Sequence, residues 1–325
     1  MSARRIMQLL LLAQVVLACV LGWLYQRFGG VAAAPLALLL GAATVLLARL
    51  LITANNFLVS RRYSSPTPAA YALGPKERLR MVGEEFVASM FQSSWFMARA
   101  RACERIYQDA PAPPVLLLHG YGCNSGYWAQ LIARLDLAHI SHAALDLEPV
   151  LGDIDHYVPL AASAIELLCA RAGATQVVIV AHSMGGLVAR AYLAAHGAGR
   201  IARIITLGTP HQGTRLARFA PGPNAAQMRC GAPAEGGAIG ASAWLHALDA
   251  GETPASRALL TCLFTHHDNI VAPQLSGQLP GARNVAFGGV GHVALGRNPR
   301  VLDFLMQEII RARAPATVNS QKHAL

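Results

Sequence analysis

The chain has 325 residues, of which 54% are hydrophobic and 14% are charged, and its net charge is +10. This length permits one large α/β domain and an additional segment. The basic balance comes without interleaved aromatic and basic residues, so we expect no nucleic-acid partner and a preference for anionic membrane surfaces. The six cysteines form no C-x-x-C pair, which excludes a disulfide framework and a zinc site and leaves a single disulfide open.

Two apolar segments open the chain, at Ile6–Gln26 and Val31–Leu47, the second continuing to Ile52. Each is long enough to cross a bilayer core of about 30 Å. The alternative for the first is a cleaved signal peptide, but its apolar stretch is long and a second span follows at once. We therefore predict a transmembrane hairpin over residues 1–60.

Positive residues lie mainly at the two outer ends of this hairpin, and only Arg27 marks its turn. The residues at the outer ends are Arg4, Arg5, Arg61, Arg62, Lys76, Arg78 and Arg80. Because basic residues favour the cytoplasmic side, we expect both outer ends, and the domain that follows, to lie there.

Residues 61–110 are expected to join the hairpin to the main domain. Tyr63–Pro75 carries the proline and serine content of a linker, and Lys76–Tyr107 reads as an amphipathic helical segment. We expect the apolar face of that segment to pack on the following domain.

Short apolar runs alternate with helical patterns over residues 111–313, which predicts a doubly wound, mainly parallel sheet in an α/β domain. The predicted strands are Val115–Leu118, Ser141–Leu147, Val177–Val180, Ile201–Leu207, Leu259–Thr265 and Asn284–Phe287. The predicted helices are Trp128–Leu135, Val158–Ala172, Leu187–His196 and Val301–Arg313. Residues 215–254 are an insertion, either a lid or binding loop or a disordered stretch, and 314–325 are expected to form a loose tail.

The central motif is Ala181-His182-Ser183-Met184-Gly185, between a buried strand and a helix. A serine in such a tight turn is lifted clear of the sheet, and its neighbours two positions away must be small. The alternative is a tight turn with a capping serine. The following helix offers free N–H groups to a developing oxyanion, which makes the Met184 N–H a candidate donor.

A second loop, His119-Gly120-Tyr121-Gly122, follows the first strand of the main domain. Its glycines let the backbone approach a substrate, and its position before the serine motif suits an oxyanion loop. We predict that the Tyr121 N–H joins that of Met184 as an oxyanion donor. The alternative is that His119 and the glycines only shape a turn.

An acid and a histidine complete the pattern at later strand ends. Asp268 follows one strand and His292 follows the last, so the chain order is Ser183, Asp268, His292. A serine hydroxyl needs a base, and an acid then holds and stabilises that base. Asp249 lies between the serine and the histidine but in the insertion, and His211 is expected to line the site. The third acid, Asp303, comes after His292 and breaks the order.

Several segments together resemble the bacterial lipase/esterase branch of the α/β-hydrolase superfamily, and more closely its membrane-anchored members with an N-terminal hydrophobic hairpin. These segments are LLLHGYGCNSGYW, VVIVAHSMGGLVARAYL, IITLGTPHQGT, HHDNIVAP and GVGHVAL, within Pro114–Ile310. The resemblance implies carboxylic-ester hydrolysis of acyl or lipid substrates. It implies a triad of Ser183, Asp268 and His292 and oxyanion donors at Tyr121 and Met184, supported by His119, Gly120, Gly122, His182 and Gly185. Ala181 stands where the superfamily often has glycine, an alanine that several lipases share.

We therefore expect a membrane-anchored serine esterase or lipase that acts through an acyl-enzyme, in a two-pass arrangement in a bacterial inner membrane. The triad also serves acyltransferases and thioesterases, and a non-catalytic membrane protein with a hydrolase shell is a third class. The mechanism calls for no metal and no organic cofactor. The sequence leaves the oligomeric state open.

Overall fold

The computed structural model describes residues 2–231 and 240–312. Within them the strands are β1 (Glu104–Arg105), β2 (Val115–Leu118), β3 (His142–Leu145), β4 (Val177–His182), β5 (Ile201–Leu207), β6 (Leu260–Thr265) and β7 (Arg283–Phe287). The helices are α1 (Ala3–Phe28), α2 (Ala34–Arg61), α3 (Pro75–Phe91), α4 (Met97–Arg99), α5 (Ala129–Leu137), α6 (Tyr157–Ala172), α7 (Met184–His196), α8 (Pro223–Gln227), α9 (Ala243–Ala250), α10 (Pro254–Ala258) and α11 (Pro299–Arg311). The predicted tail, 314–325, lies outside the described residues.

The strands form one seven-stranded sheet in the order β1-β3-β2-β4-β5-β6-β7, in which β1 is antiparallel and the other pairings are parallel. The predicted doubly wound, mainly parallel sheet is thus confirmed. Strands buried on both faces carry continuous apolar runs, as β2 and β4 do. Because β-strand side chains alternate, Val115 and Leu117 pack into the core that contains α5 and α11, whereas Leu116 and Leu118 pack against α6 and α7.

The linking region departs from the sequence prediction in two places. The helical segment predicted to reach Tyr107 ends at Arg99, and a π-helical turn interrupts it at Gln92–Phe96. The two residues of β1 then add an exposed edge strand to the sheet. Its sequence carries no apolar alternation that predicts a strand.

The two N-terminal helices are 26 and 28 residues long, and both are long and apolar enough to cross a membrane. They pack closely where Gly41 meets α1, since a Cβ at Gly41 would lie 2.1 Å from the carbonyl oxygen of Ala18. A small residue permits such close backbone contact between two helices. Only 6% and 22% of their most apolar stretches are buried, unlike the core helix of a soluble domain.

Candidate active site

Ser183 lies in the turn between β4 and α7, with φ +52° and ψ −124°. This backbone conformation is strained for a residue with a side chain, and such strain is concentrated at functional sites. The turn is also crowded, because a Cβ at Gly185 would lie 2.5 Å from the carbonyl oxygen of Leu118. A glycine two residues after the serine is therefore required by the packing of α7 against β2. The Ser183 N–H donates to the Leu207 carbonyl at 2.8 Å, which ties the turn to β5.

Asp268 and His292 form a buried pair at the ends of β6 and β7, with Asp268 Oδ2 and His292 Nδ1 2.8 Å apart. The other carboxylate oxygen of Asp268 accepts the N–H groups of Ile270 and Val271 at 2.8 and 2.7 Å. The backbone N–H of His292 donates to Asn269 Oδ1 at 2.9 Å. The surrounding loop therefore leaves one oxygen of Asp268 to hold the imidazole.

The environment of His292 favours its protonated form. Burial lowers the pKa of the imidazole, but the charge of Asp268 and the hydrogen bond to it raise the pKa, and Glu85 adds to this effect. The net result is a pKa above the ordinary value of 6.5. A base poised near neutral pH is what general acid–base catalysis requires.

Ser183 and His292 line one cavity of about 360 Å³, together with Gly120, Tyr121 and Gly122. Among the described residues, no hydrogen bond joins the Ser183 hydroxyl to the His292 ring. In enzymes without bound substrate, the hydrogen bond between a nucleophile and its base is often long and tightens when substrate binds.

His182 lies between the ring of Tyr127, with centroids 4.0 Å apart, and the ring of His292, with centroids 4.6 Å apart. Its Nε2 is 3.3 Å from the backbone carbonyl oxygen of His292, to which it donates as the Nε2–H tautomer. Burial and the neighbouring His292 hold the pKa of His182 well below its ordinary value. His182 is thus a neutral ring that supports the His292 loop.

The predicted oxyanion loop follows β2 and packs against the serine, since a Cβ at Gly120 would lie 2.9 Å from Ser183 Cβ. His119 organises this loop by accepting the Leu147 N–H at Nε2, 2.8 Å away, while Nδ1 lies 2.9 Å from the Gly120 carbonyl oxygen. That pattern requires the neutral Nδ1–H tautomer, and burial lowers the pKa of His119 in agreement with it. Met184 is the first residue of α7, where helical N–H groups have no partner inside the helix.

Sequence reasoning missed Glu85, a buried carboxylate on α3. Its two oxygens accept the N–H groups of Val293 at 3.0 Å and Ala294 at 2.8 Å, the two residues after His292. Burial raises the pKa of Glu85, and the two N–H groups oppose that rise. One signal was present in the sequence: Glu85 shares a helix face with the buried residues Met81 and Ala88.

Three other candidates lie outside the site. His211 was expected to line it but is buried, with Nε2 3.1 Å from Thr206 Oγ1, and is absent from the walls of the cavities at Ser183. Asp249 instead pairs with Arg190 and Arg257. The last, Asp303, pairs with Arg134 on α5.

A second cavity, of about 490 Å³, also reaches Ser183 and Tyr121. The described part of the insertion forms one side of it through residues such as Leu216, Phe219 and Met228. The N-terminal helices contribute to both cavities: α2 supplies Asn55, Asn56 and Val59 to this one, and Met7 and Arg49 line the smaller one. The sequence alone treats these helices as a separate anchor.

Comparison with known proteins is consistent with this architecture. Residues 142–219 match a family model described as the PGAP1-like alpha/beta domain. A pimeloyl-[acyl-carrier protein] methyl ester esterase of Vibrio vulnificus is 31% identical over 107 residues, which are 33% of this chain and 41% of that protein. A triacylglycerol lipase of Burkholderia plantarii is 42% identical over 55 residues, 17% of this chain and 15% of that protein. The matched segments thus span less than half the length of these curated relatives.

Solved structures show the same fold. The mature Bacillus licheniformis lipase BlEst2 superposes with a TM-score of 0.54 at 18% identity, over 64% of this chain and 97% of that one. Aspergillus fumigatus lipase B superposes with a TM-score of 0.51 at 20% identity, over 60% of this chain and 52% of that one. With its mainly parallel seven-stranded sheet and these relatives, the chain belongs to the α/β-hydrolase superfamily that includes lipases and esterases.

Proposed function

We propose that this protein is a membrane-anchored serine hydrolase that cleaves carboxylic esters through an acyl-enzyme on Ser183. The observation that carries the proposal is the buried Asp268–His292 pair, whose Oδ2 and Nδ1 atoms are 2.8 Å apart. His292 lines the same cavity as Ser183, which lies in a strained turn. This combination suits nucleophilic catalysis, because the base that activates the serine is itself oriented by an acid.

The reaction begins when Ser183 Oγ attacks the ester carbonyl carbon and its proton passes to His292 Nε2. Asp268 holds the imidazole by Nδ1 and stabilises its positive charge. The N–H groups of Tyr121 and Met184 hold the negative oxygen of the tetrahedral intermediate. When the intermediate collapses, the bond to the leaving alcohol breaks and that alcohol takes the proton from His292.

Water then resolves the acyl-enzyme. It attacks the acyl carbon while His292 accepts its proton, the bond to Ser183 breaks, and the serine oxygen recovers the proton. The products are a carboxylic acid and free enzyme. An acyltransferase or thioesterase follows the same first half, so the acceptor or the substrate distinguishes these activities from ester hydrolysis.

The hairpin of α1 and α2 is the proposed membrane anchor. Its exposed surface is lined by large apolar side chains, for example Leu12, Val16, Trp23, Leu39 and Ile52. The arginine distribution favours a cytoplasmic position for the hydrolase domain. A reporter that is active only outside the cell, fused after the last residue, should therefore stay inactive, and its activity would contradict this orientation.

The test of function is hydrolysis of p-nitrophenyl esters from acetate to palmitate by the full chain in detergent. Turnover should disappear in Ser183→Ala and persist in Ser256→Ala, a control in the first turn of α10 that lines neither cavity at Ser183. The chain-length profile separates a lipase from a short-chain esterase. Equal turnover by wild type and Ser183→Ala would refute the proposed nucleophile.

A further inference from the structure

Arg49 is a charged residue in the apolar helix α2, and its hydrogen-bond partners are neutral. Nη1 donates to Gln14 Oε1 at 2.8 Å and to Ser94 Oγ at 3.1 Å, and Nη2 donates to Ser93 Oγ at 2.5 Å. No carboxylate among residues 2–231 and 240–312 lies within 4.0 Å of it. Because a half-buried charge without a counterion is costly, this guanidinium is available to an anion.

The position of Arg49 relates this charge to the reaction. Arg49 lines the 360 Å³ cavity that also contains Ser183 and His292. A guanidinium has five N–H donors, and the partners above occupy three, which leaves two without a partner in the described chain. Neither cavity at Ser183 has a carboxylate among its described lining residues, so nothing in these walls repels an anion.

The second cavity also reaches Ser183 and has no charged side chain among its described lining residues. Its walls are mainly apolar, with Val59, Leu216, Phe219, Met228 and Val271 among them, and its volume is about 490 Å³. Hydrocarbon is the ligand chemistry that such a surface favours. An ester carbonyl at Ser183 therefore has an apolar cavity available for its acyl chain and a cationic cavity for the remainder of the molecule.

Both cavities are walled in part by the proposed membrane anchor. Met7 and Arg49 belong to one and Val59 to the other. Trp95 directly follows Ser93 and Ser94, the two serines to which Arg49 donates. Trp95 is 54% exposed, and the Arg99 guanidinium lies 3.7 Å from its ring centroid. Tryptophan and arginine are typical of the interface between membrane and water. With α1 and α2 as the proposed membrane anchor, the site would adjoin the bilayer surface.

We propose that the substrate is a glycerophospholipid drawn from the membrane. Its phosphate binds Arg49, and the acyl chain of the ester that is cleaved lies in the apolar cavity. This inference rests on the proposed ester hydrolysis at Ser183. Ser183 takes the acyl group as the bond between the acyl carbon and the glycerol oxygen breaks, and the lysophospholipid leaves with the proton from His292. Water then releases the fatty acid from the acyl-enzyme. Arginine suits this task because its planar fork matches phosphate oxygens.

The test compares dioleoyl phosphatidylglycerol with uncharged dioleoylglycerol, each in mixed micelles of one nonionic detergent, using the full chain. We expect wild type to prefer the phospholipid at least tenfold in kcat/KM. In Arg49→Gln that preference should be lost, so that the two lipids are cleaved with about equal kcat/KM, and Arg49→Lys should retain part of it. Arg61→Gln is the matched control, since Arg61 is exposed at the end of the same helix and lines neither cavity, and its preference should equal that of wild type.

Two results would overturn the inference. One is a wild-type enzyme that cleaves the uncharged lipid as well as the phospholipid, a measurement that does not depend on any variant folding. The other is Arg49→Gln with an unchanged preference, which would limit Arg49 to joining α1, α2 and the turn at Ser93.

A third comparison separates a membrane lipid from a soluble phosphate ester. Monomeric dihexanoyl phosphatidylglycerol should be a poorer substrate than the same headgroup in micelles, and equal turnover would contradict a membrane source. Hydrolysis of p-nitrophenyl butyrate without any phospholipid preference would refute this inference alone. Absence of any ester turnover, together with an unreactive Ser183, would refute the proposed function as well.

Discussion

Replacing Glu85 with glutamine is expected to slow ester hydrolysis by about 10- to 100-fold and to move the acid limb of the pH–rate profile to lower pH. Glu85 accepts the N–H groups of Val293 and Ala294 at 3.0 and 2.8 Å. A hydrogen bond to a charged group contributes about 1.5–3 kcal/mol. Glutamine keeps one acceptor oxygen but presents an NH₂ group to the other N–H, so about one such bond is lost. Each 1.36 kcal/mol of activation free energy corresponds to a tenfold change in rate.

The shift in pH dependence follows from charge. Glu85 raises the pKa of His292, and the neutral variant removes that contribution. In the proposed mechanism His292 must be unprotonated to activate Ser183, so a lower pKa extends activity to lower pH. The assay is kcat/KM for p-nitrophenyl butyrate from about pH 4.5 to 9, with thermal unfolding measured in parallel.

Glu84→Gln is the matched control, since Glu84 is the neighbouring residue and pairs with the exposed Arg80. It should leave both the rate and the pH profile unchanged. A Glu85→Gln enzyme that is less stable but keeps the wild-type acid limb would mean that Glu85 only holds the fold. Wild-type kcat/KM and an unshifted limb would refute the reasoning entirely.

Three further predictions concern the site and its support. Asp268→Asn should lower kcat by about 10⁴-fold with the fold intact, as circular dichroism would verify, and unchanged turnover would exclude Asp268 as the acid. Wild-type activity should fall as pH drops through the raised pKa of His292, with a midpoint above 6.5, whereas a rate that stays flat to about pH 4 would count against a histidine base. Arg190 is fully buried and pairs with Glu252 at 2.7 Å, so Arg190→Ala should lower the free energy of unfolding by about 3–5 kcal/mol. Denaturant unfolding would measure this loss, and a value below about 1 kcal/mol would contradict the prediction.

The parallel sheet was predictable because its strands leave a strong local signal. Val115–Leu118 and Val177–Val180 are continuous apolar runs, and parallel strands bring their carboxyl ends to one edge of the sheet. For that reason Asp268 and His292, each placed after a strand in the sequence, lie 2.8 Å apart in the structure. Ser183, after a third strand, borders the same cavity.

Features that depend on tertiary contact were not predictable in this way. The role of Glu85 arises only when α3 packs against a loop more than 200 residues away. Arg49 reads as an interruption of an apolar helix until that helix packs beside the site. His211 follows a strand, as a site residue would, but its ring is buried against Thr206 of β5 instead.

The central claim is that Ser183 is an activated nucleophile, and covalent labelling tests it most directly. The full chain in detergent would be treated with a fluorophosphonate, digested, and mapped by mass spectrometry. We predict one phosphonylated site, at Ser183, with labelling lost in Ser183→Ala, retained in Ser256→Ala, and slowed as His292 becomes protonated at low pH. A chain that stays unlabelled, or that is labelled elsewhere with Ser183 unmodified, would contradict the proposed serine hydrolase.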